Sequence, residues 1–254
     1  MFGICNLSVI PLRAEPSDKS EIISQVLFGE HFEIIETDRQ WVKIVLHFDS
    51  YHGWVDSKQL QTIGQSDYDA LCSIKDSQIC SDLVNYVSNK NNDFFPVMLG
   101  SSISFIDNIE INIAKFIFEG TVISGIKPKT DIVKTSFQYL NAPYLWGGKT
   151  PFGIDCSGFT QMVYKLCGYS LLRDASQQAT QGDALSFIEE SEPGDLAFFD
   201  NAEGNITHVG IIMADNYIIH ASGKVRIDRL DHLGIYNIDT KKHTHKLRVI
   251  KKII

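Results

Sequence analysis

The sequence predicts an α+β domain at the carboxyl end of the chain, preceded by two small all-β barrels. Three observations lead to this prediction. The residues before about position 60 alternate apolar and polar side chains in short bursts, a pattern typical of strands. Strand-like stretches continue up to Pro128, and after it helical stretches, loops and then strands follow. The predicted domains are residues 1–62, 63–127 and 128–254.

In the first segment, turn-forming residues separate the strand-like bursts HFEIIE, WVKIVL and GWVDS. The turn formers are Pro11, Pro16, Gly29 and Gly53. The order of a turn Gly-Glu, a central Trp41 and a closing GWV resembles bacterial SH3-like domains. We expect Trp41 and Trp54 in the core of this barrel.

The segment 63–127 is predicted to be a second, degenerate barrel of the same kind. Its stretch DSQICSDLVNYV is compatible with a short helix. The stretches FFPVMLGSSISFI and EINIAKFIFEGTVIS have the composition of strands, with Gly100 and Gly120 at turns.

Composition excludes several classes of partner. The chain has 254 residues, a hydrophobic fraction of 44% and a formal net charge of -8. Because no cluster of lysines and arginines offers a footprint for phosphates, we expect no nucleic-acid partner. No apolar run approaches the roughly 20 residues needed to cross a bilayer, so we expect no membrane partner. A monomer is expected.

The first residues, MFGICNLSVIPLRAEPS, lack the positive amino-terminal region of a signal peptide. A cytoplasmic location is therefore predicted, or a periplasmic or secreted one if the native amino terminus was processed. The five cysteines are odd in number and widely spaced, which argues against a disulfide framework. There is no C-x-x-C pair and no histidine and cysteine run with zinc-ligand spacing. We expect neither a metal nor another cofactor.

The segment GIDCSGFTQMVYKLCG predicts a helix that begins at Cys156 and ends at Gly168. Asp155 takes the capping position, and Cys156 lies in the first turn, where free N–H groups and the helix dipole favour a thiolate. Cysteine is also a common core residue, so helix position alone leaves a nucleophile and a packing residue both open. The core-facing stripe behind it has helical spacing and consists of Phe159, Met162, Val163, Leu166 and Cys167.

A cysteine nucleophile needs a base, and two histidines lie in the segment ITHVGIIMADNYIIHAS. The pattern predicts a hairpin whose loop is residues 214–216. In that register His220 lies opposite Gly210, two residues from His208, so both imidazoles project from one face. A register slip by one residue would place them on opposite faces. Two histidines on one face favour a catalytic role for Cys156.

Four stretches resemble the NlpC-type cysteine peptidases, a papain-like group. They are APYLWGGKTPFGIDCSGFTQMVY, RDASQQATQG, EPGDLAFFD and ITHVGIIMADNYIIHAS, and they occur in the order of that family. The resemblance implies that Cys156 is the nucleophile, His208 the base and His220 the group that orients the base. It places Tyr144 near the oxyanion.

The two barrels extend the resemblance to the γ-D-glutamyl-L-diamino-acid endopeptidases that recycle cell-wall peptides. In that subgroup the first barrel caps the active site and limits it to short peptides with a free L-alanine. The resemblance implies substrate contacts for Asp155, Ser157, Asp174 and Tyr51. A glutamate of the first barrel is expected to join them, either Glu21 or Glu30, with Glu30 favoured. Trp146 is expected either to line the cleft or to pack the loop before the nucleophile, and Arg173 to pair with a carboxylate and hold the cleft wall.

The predicted activity is hydrolysis of the bond between γ-D-Glu and a diamino acid, either meso-diaminopimelate or L-Lys, in murein tripeptides or tetrapeptides. The product is L-Ala-γ-D-Glu. Two alternatives remain. The chain could be a secreted hydrolase of intact peptidoglycan, or a catalytically inactive protein that binds peptidoglycan peptides.

Overall fold

A computed structural model describes residues 1–106 and 115–254 of the chain. The chain divides into two compact units, Met1–Gly125 and Ile126–Ile254, and each is described by itself. Among the helices in the described residues, none has both the length and the apolar character needed to span a membrane.

The first unit begins with a seven-stranded antiparallel sheet. Apolar and polar side chains alternate along its strands, so that one face of the sheet is buried. In WVKIVL, for example, Ile44 and Leu46 are buried, whereas Lys43 and Val45 between them are partly exposed. Trp41 and Trp54 are also buried, as predicted. The strands are β1 (Phe2–Ile4), β2 (Val9–Arg13), β3 (Ile22–Leu27), β4 (His31–Asp38), β5 (Trp41–Leu46), β6 (His52–Asp56) and β7 (Gln61–Ile63), in the spatial order β3-β2-β6-β5-β4-β1-β7.

The rest of the first unit contains one helix and two small antiparallel sheets. Strands β10, β9 and β11 form one sheet, and β12 pairs with β8 in the other. The elements are α1 (Gln65–Cys72), β8 (Ile79–Cys80), β9 (Val84–Asn89), β10 (Phe94–Met98), β11 (Phe116–Phe118) and β12 (Val122–Ile123).

The sequence stretch DSQICSDLVNYV is compatible with a short helix, but that prediction is wrong. The stretch forms β8 and most of β9 instead. Strand β9 pairs on both of its sides, with β10 and β11, so its backbone groups are satisfied in a sheet. The prediction of a second barrel over residues 63–127 falls in part on residues 107–114, which lie outside the described residues. That prediction, and with it the division into three domains, stays a prediction.

The second unit combines helices with a second seven-stranded sheet. Its sheet order is β15-β21-β16-β17-β18-β19-β20, and β20 also pairs with β21, so that six strands form a closed ring. The helices are α2 (Thr130–Ser136), α3 (Cys156–Leu166) and α4 (Ala175–Gln178). The strands are β13 (Lys149–Thr150), β14 (Gly153–Ile154), β15 (Asp183–Leu185), β16 (Leu196–Asp200), β17 (Ile206–Ile212), β18 (Tyr217–Ser222), β19 (Lys224–Asp231), β20 (Gly234–Asn237) and β21 (Lys242–Lys252).

Helix α3 packs against β17 and β18. Every residue of this helix is buried, including the whole predicted stripe. Gly168 ends the helix with a positive φ of 86°, a conformation that suits glycine, and its N–H donates to the Lys165 carbonyl. The helix predicted behind Cys156 is therefore confirmed, although it is enclosed on all sides rather than on one.

The hairpin of β17 and β18 has the predicted register. Gly210 lies opposite His220, and the Met213 N–H donates to the Tyr217 carbonyl over 2.8 Å. Asp215 and Asn216 in the loop both have positive φ, which asparagine and aspartate tolerate better than most residues. His208 and His220 therefore project from the same face of the sheet.

Candidate functional site

Cys156 is the first residue of α3, directly after its capping residue Asp155. The Asp155 carboxylate accepts a hydrogen bond from the Gly158 N–H over 2.6 Å, which satisfies one of the free donors of the first turn. The Cys156 side chain lies beside strand β17, with its sulfur 4.0 Å from the Thr207 carbonyl oxygen. The helix start thus holds the thiol against the strand that carries His208.

The two histidines of the hairpin form a hydrogen-bonded chain that ends on a buried carboxylate. His208 Nε2 lies 2.8 Å from His220 Nδ1, and His220 Nε2 lies 3.0 Å from Asp228 Oδ2. All three side chains are buried. The structure therefore places His220 where it orients the His208 ring, and it adds Asp228, which the sequence analysis did not identify.

These hydrogen bonds determine which nitrogen of each imidazole carries the proton. Partners that donate to Asp228 hold the pKa of its carboxyl below the usual range despite its burial, so Asp228 is an acceptor only. His220 must then donate from Nε2 and accept at Nδ1, and His208 must donate from Nε2. The remaining nitrogen of His208, Nδ1, carries no proton and is the one available as a base.

Asp228 is itself held by Arg226 on the same strand. The Arg226 guanidinium donates to Asp228 from Nε over 2.6 Å and from Nη2 over 2.9 Å, and the Ile238 N–H donates over 3.0 Å. The only sequence signal for this residue is a charged side chain inside the strand KVRIDRLD, next to the strand of His220. Such a residue is ambiguous until its burial is known.

A third histidine, His245 on β21, was also missed by the sequence analysis. Its ring stacks on that of His208, with centroids 4.1 Å apart and an interplanar angle of 24°. Burial lowers the pKa of His245 to about 4, so at neutral pH this ring is uncharged. His245 therefore packs as a flat neutral surface that fixes the tilt of the His208 ring.

Burial disfavours the charged forms of both the Cys156 thiol and the His208 imidazole. Burial, and next the charge of Asp155, raise the pKa of Cys156 to about 12, against smaller lowering contributions from the Val209 backbone and Arg173. Burial, then His220 and His245, hold the pKa of His208 well below its usual value. The lowered thiol pKa expected from helix position is therefore outweighed by desolvation.

We expect iodoacetamide to alkylate Cys156 at least about tenfold faster in the wild type than in His208→Ala at neutral pH, because a positioned base accelerates proton removal. In His208→Ala the rate should still be rising at roughly pH 10, since burial raises the pKa of the thiol to about 12. Mass spectrometry of the Cys156 peptide measures both rates. His232→Ala, at an exposed position, serves as the control. Equal rates in the wild type and His208→Ala would contradict the assignment of the base.

Asp155, Ser157 and Arg173 form a buried group behind the nucleophile. Arg173 donates from Nη1 to Asp155 Oδ1 over 3.0 Å, from Nη2 to Asp155 Oδ2 over 2.6 Å, and from Nη1 to the Ser157 hydroxyl over 3.0 Å. The Gly147 N–H also donates to Asp155. Their substrate contacts stay predictions. What the structure shows for Asp155 and Arg173 is internal pairing that anchors the helix start.

An open cleft of about 310 Å³ lies next to His208 in the second unit. Tyr144 lines it, held by a hydrogen bond from its N–H to the Gly223 carbonyl over 3.0 Å. Burial and the neighbouring Cys156 and Asp155 raise the pKa of Tyr144 to about 12. Trp146, two residues on, is 60% exposed in the same loop. The lining consists of Tyr144, Thr207, His208, Ala221, Ser222, Gly223 and His245.

The remaining predicted contacts lie elsewhere in the chain. Asp174 caps α4, its N–H donates to the Gln177 side-chain oxygen over 3.0 Å, and the residue stays partly exposed. Glu30 in the first unit is buried and accepts from the Leu27 N–H over 2.9 Å, whereas Glu21 is exposed. Tyr51 packs against the barrel core. Contacts of these residues with substrate stay predictions.

Two families match separate parts of the chain. Residues 141–248 match the NlpC/P60 family, and residues 12–60 match the bacterial dipeptidyl-peptidase Sh3 domain. The first range contains Cys156, His208, His220, Asp228 and His245. The second covers most of the seven-stranded sheet of the first unit.

Similar curated proteins extend over most of the chain. The γ-D-glutamyl-L-lysine dipeptidyl-peptidase of Bacillus subtilis is 29% identical over 79% of this chain and 72% of its own length. The protein of the same name from Bacillus cereus is 28% identical over 81% of this chain and 68% of its own length. Dipeptidyl-peptidase 6 of Lysinibacillus sphaericus is 28% identical over 87% of this chain and 88% of its own length.

A solved structure has the same fold. An NlpC/P60 family protein from Bacillus cereus superposes with a TM-score of 0.81 at 20% identity, over 100% of this chain and 99% of its own. Together these similarities confirm the predicted fold class, an NlpC-type domain that follows an SH3-like barrel. The chain is therefore a cysteine peptidase that carries an NlpC/P60 domain at residues 141–248 and a bacterial dipeptidyl-peptidase SH3 domain at residues 12–60.

Proposed function

We propose that this peptidase hydrolyses the bond between γ-D-Glu and the diamino acid of short murein peptides and releases L-Ala-γ-D-Glu. The observation that carries the proposal is the buried hydrogen-bonded series His208, His220 and Asp228 next to an open cleft, with the Cys156 sulfur against Thr207, the residue that precedes His208. The bond that we propose is taken from the names of relatives that align over most of this chain, two of which are γ-D-glutamyl-L-lysine dipeptidyl-peptidases.

The proposed reaction begins with a proton transfer from the Cys156 thiol to Nδ1 of His208. The sulfur attacks the γ-carbonyl carbon, and the carbonyl oxygen takes the negative charge. When the C–N bond breaks, the diamino acid leaves as an amine with the proton from His208. Water then gives a proton to His208 and attacks the thioester, which releases the dipeptide and restores the thiol.

Tyr144 is suited to stabilise the oxyanion of this reaction. Tyr144 lines the cleft together with His208, and its raised pKa of about 12 means that it keeps its proton at neutral pH. A protonated phenol can donate a hydrogen bond to a developing negative oxygen. We therefore assign Tyr144 as an oxyanion donor within this proposal.

The proposal also includes recycling of free peptides in the cytoplasm. All five cysteines are free thiols, which suits a reducing compartment. Recognition of a free L-Ala amine calls for carboxylates, for which Asp174 and Glu30 are the predicted groups and Tyr51 the predicted hydroxyl. A charged amine bound in this way would exclude peptides whose amino terminus is blocked.

The decisive experiment is incubation with L-Ala-γ-D-Glu-L-Lys and with the meso-diaminopimelate analogue, followed by chromatography of the released L-Ala-γ-D-Glu. We expect release by the wild type and by Cys80→Ala, a matched change at a buried cysteine of the first unit. Release should fall below detection in Cys156→Ala, because the nucleophile is lost. The proposal fails if the wild type releases no dipeptide or if Cys156→Ala is as active as the wild type.

The N-acetylated tripeptide separates recycling from wall digestion. We expect at least about a hundredfold lower kcat/KM for the acetylated peptide, because a buried carboxylate that pairs with an ammonium would lose its partner. Comparable rates for both peptides would instead support a hydrolase of intact peptidoglycan.

A further inference from the structure

Two histidines and one cysteine of the first unit converge at a point that the peptidase chemistry does not use. They are His31 at the start of β4, His47 directly after β5, and Cys72 at the end of α1. From their geometry we propose that these three side chains bind a divalent transition-metal ion of the zinc class.

The distances between the donor atoms match a tetrahedral site. Cys72 Sγ lies 3.7 Å from His31 Nε2 and 3.5 Å from His47 Nδ1, and the three donor atoms all lie within 4.8 Å of one another. With Zn–S near 2.3 Å and Zn–N near 2.05 Å, a tetrahedral ion holds sulfur and nitrogen about 3.6 Å apart. An ion could therefore contact all three ligands with little side-chain movement.

The ligands are also oriented and accessible. The His31 and His47 rings stack with centroids 4.6 Å apart at 24°, and Tyr68 meets both rings edge-on. His47 is exposed, whereas His31 and Cys72 are partly buried, so an ion can enter from solvent. The aromatic packing limits ring rotation and lowers the entropy cost of ordering the ligands.

The ligand chemistry selects the class of ion. Two imidazoles and one thiolate suit Zn²⁺ and its close neighbours, whereas Mg²⁺ and Ca²⁺ require oxygen ligands. The fourth position of a tetrahedral site is left for water. Glu33, two residues after His31 on the same face of β4, adds negative charge nearby.

The sequence predicts no metal, because it contains no C-x-x-C pair and no histidine and cysteine run with zinc-ligand spacing, and positions 31, 47 and 72 are far apart in the chain. Folding brings them together instead, since β4 and β5 are neighbours in the sheet and α1 packs against β1, the other neighbour of β4. A bound ion would tie the carboxyl end of α1 to two strands. It would therefore stabilise the first unit by mass action.

The test is a titration of the reduced, metal-free full chain with Co²⁺, a spectroscopic substitute for zinc. We expect one equivalent to give a thiolate-to-cobalt absorption band and tetrahedral d–d bands, and Zn²⁺ to abolish them. Cys72→Ser should lose the thiolate band. His47→Ala should bind at least about tenfold more weakly, because one of three protein ligands is gone.

Two controls separate this site from the catalytic thiol and from surface histidines. Cys156→Ala, which removes the thiol at the start of α3, should retain the cobalt spectrum, and His52→Ala, exposed on β6, should titrate as the wild type does. Zinc should also raise the Tm of the wild type but not that of Cys72→Ser. The proposal is overturned if the thiolate band is absent from the wild type, survives in Cys72→Ser or disappears in Cys156→Ala. None of these readouts depends on peptide hydrolysis.

Discussion

Replacing Asp228 with Asn is expected to lower kcat for the tripeptide by about 10²–10⁴-fold, while KM changes little. The amide would donate to His220 Nε2, where the carboxylate now accepts. His220 would then donate from Nδ1, and the only proton of His208 would move to Nδ1, the nitrogen that must be free. A carboxylate-to-amide change in a catalytic triad has an effect of this order through the same tautomer error.

Steady-state kinetics of purified Asp228→Asn, with Asp231→Asn as the control, measure this effect. Asp231 lies on the same strand and also pairs with a histidine, His243, but outside the cleft. We expect near wild-type kcat in that control. An equal fall of kcat in both variants, or a change confined to KM, would show that Asp228 does not act through the tautomers of the two histidines.

Replacing Arg173 with Met is expected to cost about 3–5 kcal/mol of unfolding free energy in the second unit, the range for removing one partner of a buried pair. Arg173 is only 1% exposed, and the Asp155 side chain only 7%. Without the guanidinium, the buried Asp155 carboxylate at the start of α3 would lose its main partner. Hydrogen exchange of the amides in α3 measures the local free energy of opening.

The double variant Asp155→Asn with Arg173→Met tests the cause. Because asparagine still caps the helix and carries no charge, we expect the double variant to recover most of the stability lost by Arg173→Met. Arg229→Met is the control, since this exposed arginine lies over the Tyr217 ring and should contribute at most about 1 kcal/mol. A double variant less stable than Arg173→Met would contradict the charge argument.

In the helical segment that begins with α2, apolar periodicity alone predicts the wrong buried face. The sequence pattern predicts a helix from Thr130 or Asp131 through Leu140, with an apolar face of Ile132, Val133, Phe137 and Leu140. In the structure α2 ends at Ser136, a 3-10 turn follows over Phe137–Tyr139, and Phe137 is 45% and Leu140 37% exposed. The buried face is Ile132, Thr135, Ser136 and Tyr139, which also has helical spacing. Thr135 and Ser136 can be buried because each has a hydrogen-bond partner, Thr135 with the Cys167 thiol and Ser136 with the Val133 carbonyl.

The positions of Cys156, His208 and His220 could be predicted because each depends on short-range geometry. A capped helix start places Cys156, and the two-residue period of a hairpin places both histidines on one face. Asp228 and His245 could not be found in this way. They come from β19 and β21, whose places beside the hairpin follow from the order and closure of the whole sheet.

By itself the sequence determined the helix behind Cys156, the register of the histidine hairpin and the order of an SH3-like barrel followed by an NlpC-type domain. These depend on local periodicity and capping, which a short segment expresses alone. Only the tertiary structure decided the directions of the pKa shifts of Cys156 and His208, because burial is the largest cause of both shifts. It also decided the Asp228 anchor and the meeting of His31, His47 and Cys72, since each joins residues that only packing brings within contact distance.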